Sequence, residues 1–238
     1  MKSYSYIILT LLLGMMSNGC TDGGSHRQNT DISVTTLKCE YLINPLGIDE
    51  LQPQLSWRIK SKENGQKQTA YHLLVASSAK NLEKNIGDLW DTGIIQSDQS
   101  VLARYDGQPL QSSDQCFWKV MIYDKDGNPS DWSKNASWSM GLLDPTDWKA
   151  KWIGSSELNT SPFFRQAFDV ENIPEKATIY VASLGYYELY INGKKVGNEV
   201  LAPAVSNFSK RSYYQTHDVK PYLKKGTNSI GIWMGTGW

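Results

Sequence analysis

Acidic and aromatic side chains lie close together at several places in this chain, and their spacing decides whether they can do chemistry. Asp88, Asp91 and Asp98 surround Trp90, and Asp124 and Asp126 share the stretch Asp124-Lys125-Asp126-Gly127-Asn128. Cleaving an acetal with two carboxylates requires both acids to face one ligand across a cleft, one of them with its pKa raised by apolar surroundings. Here the acids fall on a strand edge and in a glycine-containing turn, where water keeps carboxylates charged. No catalytic residue is assigned on this pattern.

Metal and nucleophile chemistry find no better footing. The Asp124–Asn128 stretch has part of the spacing of a calcium loop but lacks the downstream bidentate Glu, so a plain hairpin turn is expected. His26, His72 and His217 stand far apart, and none sits at a zinc spacing from Cys, Glu or another His. No Gly-Xaa-Ser-Xaa-Gly elbow or phosphate loop is present. No metal site and no cofactor is expected.

One constellation could hold a ligand. In YYELYINGKKVG, 186–197, strand alternation puts Tyr186, Glu188 and Tyr190 on one face and Tyr187, Leu189 and Ile191 on the other. Two rings then flank a carboxylate along a row about 14 Å long. Rings can stack on a pyranose while the carboxylate accepts from its hydroxyls. The commoner fate of such a face is to be covered by another sheet, a loop or a neighbouring domain.

The elements that would position these residues are strands. Helical periodicity is almost absent beyond the first twenty residues, while short period-two runs recur between clusters of Gly, Pro, Asn and Asp. Leu55, Trp57 and Ile59 alternate with Ser56, Arg58 and Lys60; Tyr71, Leu73 and Val75 repeat the pattern, as do Trp118, Val120 and Ile122. Turns are expected at Glu63-Asn64-Gly65, Asp106–Pro109 and Asp124–Asn128. About seven strands over 37–143 describe an immunoglobulin-like or fibronectin-III-like sandwich. A short helix is expected at Ala79 to Asn85, where Leu82 and Ile86 share a face.

The run 144–162 reads as a linker in which Trp148 and Trp152 pack onto one or both flanking blocks. The block 163–238 reads as a jelly-roll-like β-sandwich. Its strongest local signal is Asn192-Gly193, a two-residue type I′ hairpin, because both central residues must take positive φ. Strand-like runs are also expected at Arg211 to Thr216 and Ser229 to Met234, with a turn of helix or irregular strand between Asp218 and Leu223. The whole chain is thus read as all-β.

Composition narrows the partners. The 24 Lys and Arg balance the 24 Asp and Glu, so no long-range field attracts nucleic acid, and nucleic-acid binding is not expected. The 9 Trp and 13 Tyr in a neutral chain suit carbohydrate. Residues 1–20 read as a signal peptide: Lys2 is the positive end, Ile7 to Met16 the apolar core, and Ser17-Asn18-Gly19-Cys20 the cleavage site. The apolar core would rise only about 15 Å as a helix, too short to span a bilayer. Cys20 after small residues suits a lipoprotein, anchored to a membrane by its lipidated thiol, with plain secretion the alternative. Residues 21–36 read as a flexible tether. An oxidising compartment permits a bridge between Cys39 and Cys116, but both fall in strand-like runs at no redox or metal spacing, so two buried thiols are expected.

The stretches LKCEYLINPLGIDELQPQLSWRI (37–59), QTAYHLLVASS (68–78), GDLWDTG (87–93), FWKVMIYDKDGNPSDWS (117–133) and MGLLDPTDWKAKWIG (140–154) resemble the N-terminal fibronectin-like domain of bacterial α-L-rhamnosidases. FFRQAF (163–168), LGYYELYINGKKVGNEVLAP (184–203) and RSYYQTHDVKPYLKKGTNSIGIWMGTGW (211–238) are similar to the next β-sandwich of those enzymes. The resemblance implies an exported, inverting hydrolase of terminal α-L-rhamnose that acts on plant-type or other rhamnose-containing glycans. It places the catalytic Glu residues in an α/α barrel, and none of their positions has a counterpart here. In the family, the segment around Trp238 continues into further strands, so the second block is expected to be an incomplete sandwich. The leading expectation is therefore the non-catalytic front part of such an enzyme, inactive alone. The alternatives are a short surface lipoprotein that binds rhamnose-containing glycans, and a purely structural module.

Overall fold

The computed structural model describes residues 31–156 and 160–235. Their secondary structure is almost entirely strand. Seven strands, β1 (Ser33–Cys39), β2 (Gln54–Lys60), β3 (Ala70–Ala76), β4 (Trp90–Gln96), β5 (Ala103–Arg104), β6 (Gln115–Tyr123) and β7 (Ala136–Ser139), form two sheets ordered β1-β2-β5 and β4-β3-β6-β7. All named pairings in them are antiparallel. This is the immunoglobulin-like sandwich that the alternation implies.

Its core follows directly from the period-two pattern. Leu55 and Trp57 of β2 meet Tyr71, Leu73 and Val75 of β3 and Trp118, Val120 and Ile122 of β6 in one buried cluster with Trp138 and Tyr105. Truncating a fully buried Trp such as Trp118 to Ala costs about 3–5 kcal/mol by lost transfer and cavity formation. Trp57 Nε1 donates to Gln68 Oε1 at 2.9 Å, and Gln68 Nε2 donates to the Ser97 and Gln99 carbonyls, whereas the buried Trp118 Nε1 and Trp138 Nε1 have no hydrogen-bond partner among the described residues.

The reverse face of β3 and β6 is covered as well, which alternation on one face does not reveal. Helix α1 (Ala79–Glu83), capped by the Ser78 hydroxyl, lays Leu82 against Leu74, Ala76, Phe117 and Trp132. Lys119 runs under it and donates to the Leu82 carbonyl and to Asn85 Oδ1 at 2.6 Å each, where a cation neutralises carbonyls at a helix end. The helix is shorter than expected: Asn85 takes a positive φ, and Ile86 stays 47 % exposed instead of joining Leu82.

Two boundaries also differ from the sequence reading. Strand β1 starts at Ser33, inside the stretch 21–36 read as a tether, because Ser33, Val34 and Thr35 pair with Lys60, Ile59 and Arg58. Ile32 before it is buried. Cys39 and Cys116 are both free and buried, and burial pushes the Cys116 thiol up to about 12 and Cys39 upward too.

In the second half, β8 (Phe163–Val170), β10 (Tyr186–Ile191), β11 (Lys194–Val196) and β13 (Gly226–Gly235) form a sheet ordered β11-β10-β13-β8, and β9 (Thr178–Ala182) pairs with β12 (Tyr214–Asp218) in a second. The β10–β11 hairpin turns through Asn192 (φ 52°) and Gly193 (φ 78°), the type I′ geometry. Strand β12 lies later than the expected 211–216, and a 3₁₀ turn at Lys220–Tyr222 follows it. Between the two sheets Tyr187, Leu189, Ile191, Val181, Val196 and Val219 make the core.

Candidate functional site

The candidate row on β10 faces away from that core. Burial alternates strictly along the strand, with Tyr187, Leu189 and Ile191 buried and Tyr186, Glu188 and Tyr190 half exposed. The inward set packs on β13 residues Ile230 and Ile232 and on Val181 of β9. Among the described residues, then, the outward row is not the covered packing face that such rows usually become.

Its electrostatics are those of a closed triad. Lys195, next strand over and paired with Tyr190, donates from Nζ to Glu188 Oε1 at 2.6 Å, and the Tyr190 hydroxyl donates to Oε2 at 2.6 Å. The Lys195 bond first, and then the Tyr190 bond, hold Glu188 below the usual carboxylate range. The same contacts raise Lys195 and Tyr190. A carboxylate held this way stays ionised and accepts hydrogen bonds; it does not deliver a proton as a general acid.

The other acids singled out in the sequence are engaged in structure. Asp124 accepts from the amides of Asp126 and Asn128 and closes the hairpin turn, with Gly127 at φ 83°. Asp88 caps Ser77, accepting from its amide at 3.0 Å and its hydroxyl at 2.5 Å. Asp91 meets His72 Nε2 at 2.6 Å and accepts from the Gly93 amide. Partial burial pulls both aspartates upward, but those bonds outweigh it and leave them below the ordinary value. Asp98 is not brought to this group by any of these contacts. No cluster of metal-ligating side chains occurs among the described residues. Cys20 and His26 lie outside the described residues.

His217 has moved from a bland strand residue to the centre of a buried polar knot. Its Nε2 lies 2.9 Å from the Tyr187 hydroxyl, which itself donates to Gln215 Oε1 at 3.0 Å. The single hydroxyl proton is thus spent on Gln215, so Nε2 carries the hydrogen toward Tyr187. Burial lowers the His217 pKa, partly opposed by Glu199. Nothing in the local sequence pattern marks this contact, because β10 and β12 lie in different sheets.

The two halves meet along a seam of tyrosines. The Tyr214 hydroxyl accepts from the Leu142 amide at 2.9 Å, Ser113 and Tyr180 hydroxyls lie 2.7 Å apart, and Lys176 Nζ donates to the Ser113 carbonyl. Trp148 packs edge-on against Tyr214 at 5.3 Å, as expected of a connector aromatic. Trp152 does not follow it: it is 66 % exposed and lines an apolar hollow with Ile179, Val181 and Ile232. Its reason is the second sheet, which has only two strands among the described residues and leaves that side of the core open.

Comparison with known proteins places both halves. Residues 34–144 match the family described as Rha78A-like, N-terminal immunoglobulin domain, and residues 172–238 match the alpha-L-rhamnosidase N-terminal domain. An alpha-L-rhamnosidase of Formosa agariphila is 32 % identical across 100 % of this chain, which covers 27 % of that protein. Among solved structures, the alpha-L-rhamnosidase from Dictyoglumus thermophilum superposes with a TM-score of 0.80 at 37 % identity, over 86 % of this chain and 25 % of its own. That of Aspergillus terreus gives a TM-score of 0.74 at 31 % identity, over 87 % of this chain and 24 % of its own. The chain therefore spans about a quarter of the length of the proteins it matches.

Proposed function

The chain carries the N-terminal, non-catalytic region of the α-L-rhamnosidase family, and from that premise we propose that it serves in the release of terminal α-L-rhamnose from glycans by holding the glycan, not by cutting it. The observation that carries this reading is the succession of two matching domains in family order, 34–144 and then 172–238. The acids support it: Asp88, Asp91, Asp144 and Glu188 are all held below the ordinary carboxylate range, whereas a glycosidase acid must be raised. The holding surface is the Tyr186, Glu188 and Tyr190 row, with ionised Glu188 accepting from sugar hydroxyls. In this reading residues 1–20 export the chain and Cys20 anchors it to a membrane. No helix of the described residues is long and apolar enough to cross one.

The test is made on the purified chain and on cells producing it. The chain is expected to release no rhamnose from a terminal α-L-rhamnoside, and to be retained by a column of immobilised rhamnose-containing glycan. Tyr190→Ala is expected to lose the retention with its melting temperature unchanged. Cys20→Ala is expected to shift the protein from the membrane to the soluble fraction. Free rhamnose from the chain alone, or retention unaltered by Tyr190→Ala, defeats the reading of this region as a holder of glycan.

A further inference from the structure

The outward face of the four-stranded sheet continues beyond β10. Strand register puts Tyr190, Gly231 and Arg165 in one row across β10, β13 and β8, and Glu188, Trp233 and Phe163 in the next. Trp233 is 54 % and Phe163 57 % exposed, large apolar rings in water on one sheet face. Between the rows Gly231 contributes no side chain, and a hollow of about 430 Å³ opens there, lined by Phe163, Arg165, Tyr190 and Trp233 among others. Phe163 leans over the glycine: a Cβ at Gly231 would meet its Cζ at 2.8 Å.

Charge distinguishes this hollow from a generic apolar patch. Glu188 is already neutralised by Lys195, so that pair adds no net charge to the face. Arg165, by contrast, makes no ion pair with a carboxylate among the described residues. Its side chain helps line a ring-walled hollow, and the planar fork of Arg matches a carboxylate with two parallel hydrogen bonds. A neutral sugar would use the rings and offer that fork only uncharged hydroxyl oxygens, without the opposite charge and paired acceptors of a carboxylate.

Resting on the reading that this chain holds glycan, we propose that the face formed by Phe163, Arg165, Tyr190 and Trp233 binds a uronate-bearing segment of the glycan. Arg165 takes the sugar carboxylate, and Trp233 and Phe163 take the pyranose faces. The footprint from β10 to β8 is two strand spacings, about 10 Å.

Calorimetric titration of the full chain tests this with a rhamnose–galacturonate oligosaccharide and with the same oligosaccharide after its carboxyl groups are reduced to alcohols. Reduction is expected to weaken binding about tenfold, the equivalent of about 1.4 kcal/mol. Arg165→Gln is expected to bind the two forms equally, at the affinity of the reduced one. Trp233→Ala is expected to weaken both, with circular dichroism unchanged. Equal affinity of the wild-type chain for both forms, or a preference that survives in Arg165→Gln, overturns the uronate assignment and leaves the holding of neutral glycan standing. Failure of the folded wild-type chain to bind either form overturns both.

Discussion

At the scale of single residues, the groups with unusual surroundings serve the fold. His217 shows the consequence most directly. Burial favours its neutral form and lowers its pKa from the ordinary 6.5, while an Nε2–H can donate to Tyr187 in either charge state. The folded state therefore binds fewer protons than the unfolded state when the pH falls through that value. Stability conferred by neutral His217 is fully present above the unfolded pKa and is lost progressively as the pH drops below about 6.5 toward the folded pKa. His217→Gln keeps an N–H donor but cannot titrate. Its melting temperature is expected to change less between pH 7.5 and 5.5 than that of the wild type; equal changes would show that other groups set the dependence.

At the scale of elements, the β10–β11 hairpin does two jobs that its Asn-Gly signature only half reveals. The turn needs positive φ at Asn192, and the same side chain ties the hairpin to its neighbours. Its Nδ2 donates to the Tyr222 carbonyl and to Asn228 Oδ1, and its Oδ1 accepts from the Ser229 amide. Asn192→Gly retains the turn geometry and loses only those bonds, an expected loss of about 1–3 kcal/mol. Asn192→Ala loses the bonds and also pays the left-handed backbone penalty, about 1–2 kcal/mol more. Urea denaturation midpoints of the two variants should fall in that order, and coincident midpoints would mean that the backbone penalty is absent. The hairpin aims Tyr190 and Lys195 at Glu188, so its stability and the order of the outward face are linked.

At the scale of the whole molecule, the two halves are joined by a narrow polar seam. Gly141 is one of its tight points: a Cβ there would lie 2.2 Å from the Tyr214 hydroxyl oxygen, as one at Gly47 would from Thr216 Oγ1. Gly141→Ala must displace Tyr214, which breaks its bond from the Leu142 amide and its edge contact with Trp148. The variant is expected to be cut several-fold faster by protease in the connector 149–156, while Tyr214→Phe, which removes only the hydroxyl, is cut at an intermediate rate. Identical cleavage of all three proteins would show that the seam does not hold the halves together.

By itself the sequence determined whatever depends on neighbours along the chain. Alternation in Leu55–Ile59, Tyr71–Val75 and Trp118–Ile122 specified strands and their buried sides, Asn192-Gly193 specified a hairpin, and the quoted stretches carried the family resemblance. It also put Tyr186, Glu188 and Tyr190 on one face. Whether that face is covered, and that Phe163, Arg165 and Trp233 extend it, was decided only by the pairing of β8, β10 and β13. The same holds for Tyr187 with His217 and for Leu142 with Tyr214. A period of two says which side chains share a face, but strand partners distant in sequence are chosen by the packing of the whole sheet, which no local pattern encodes.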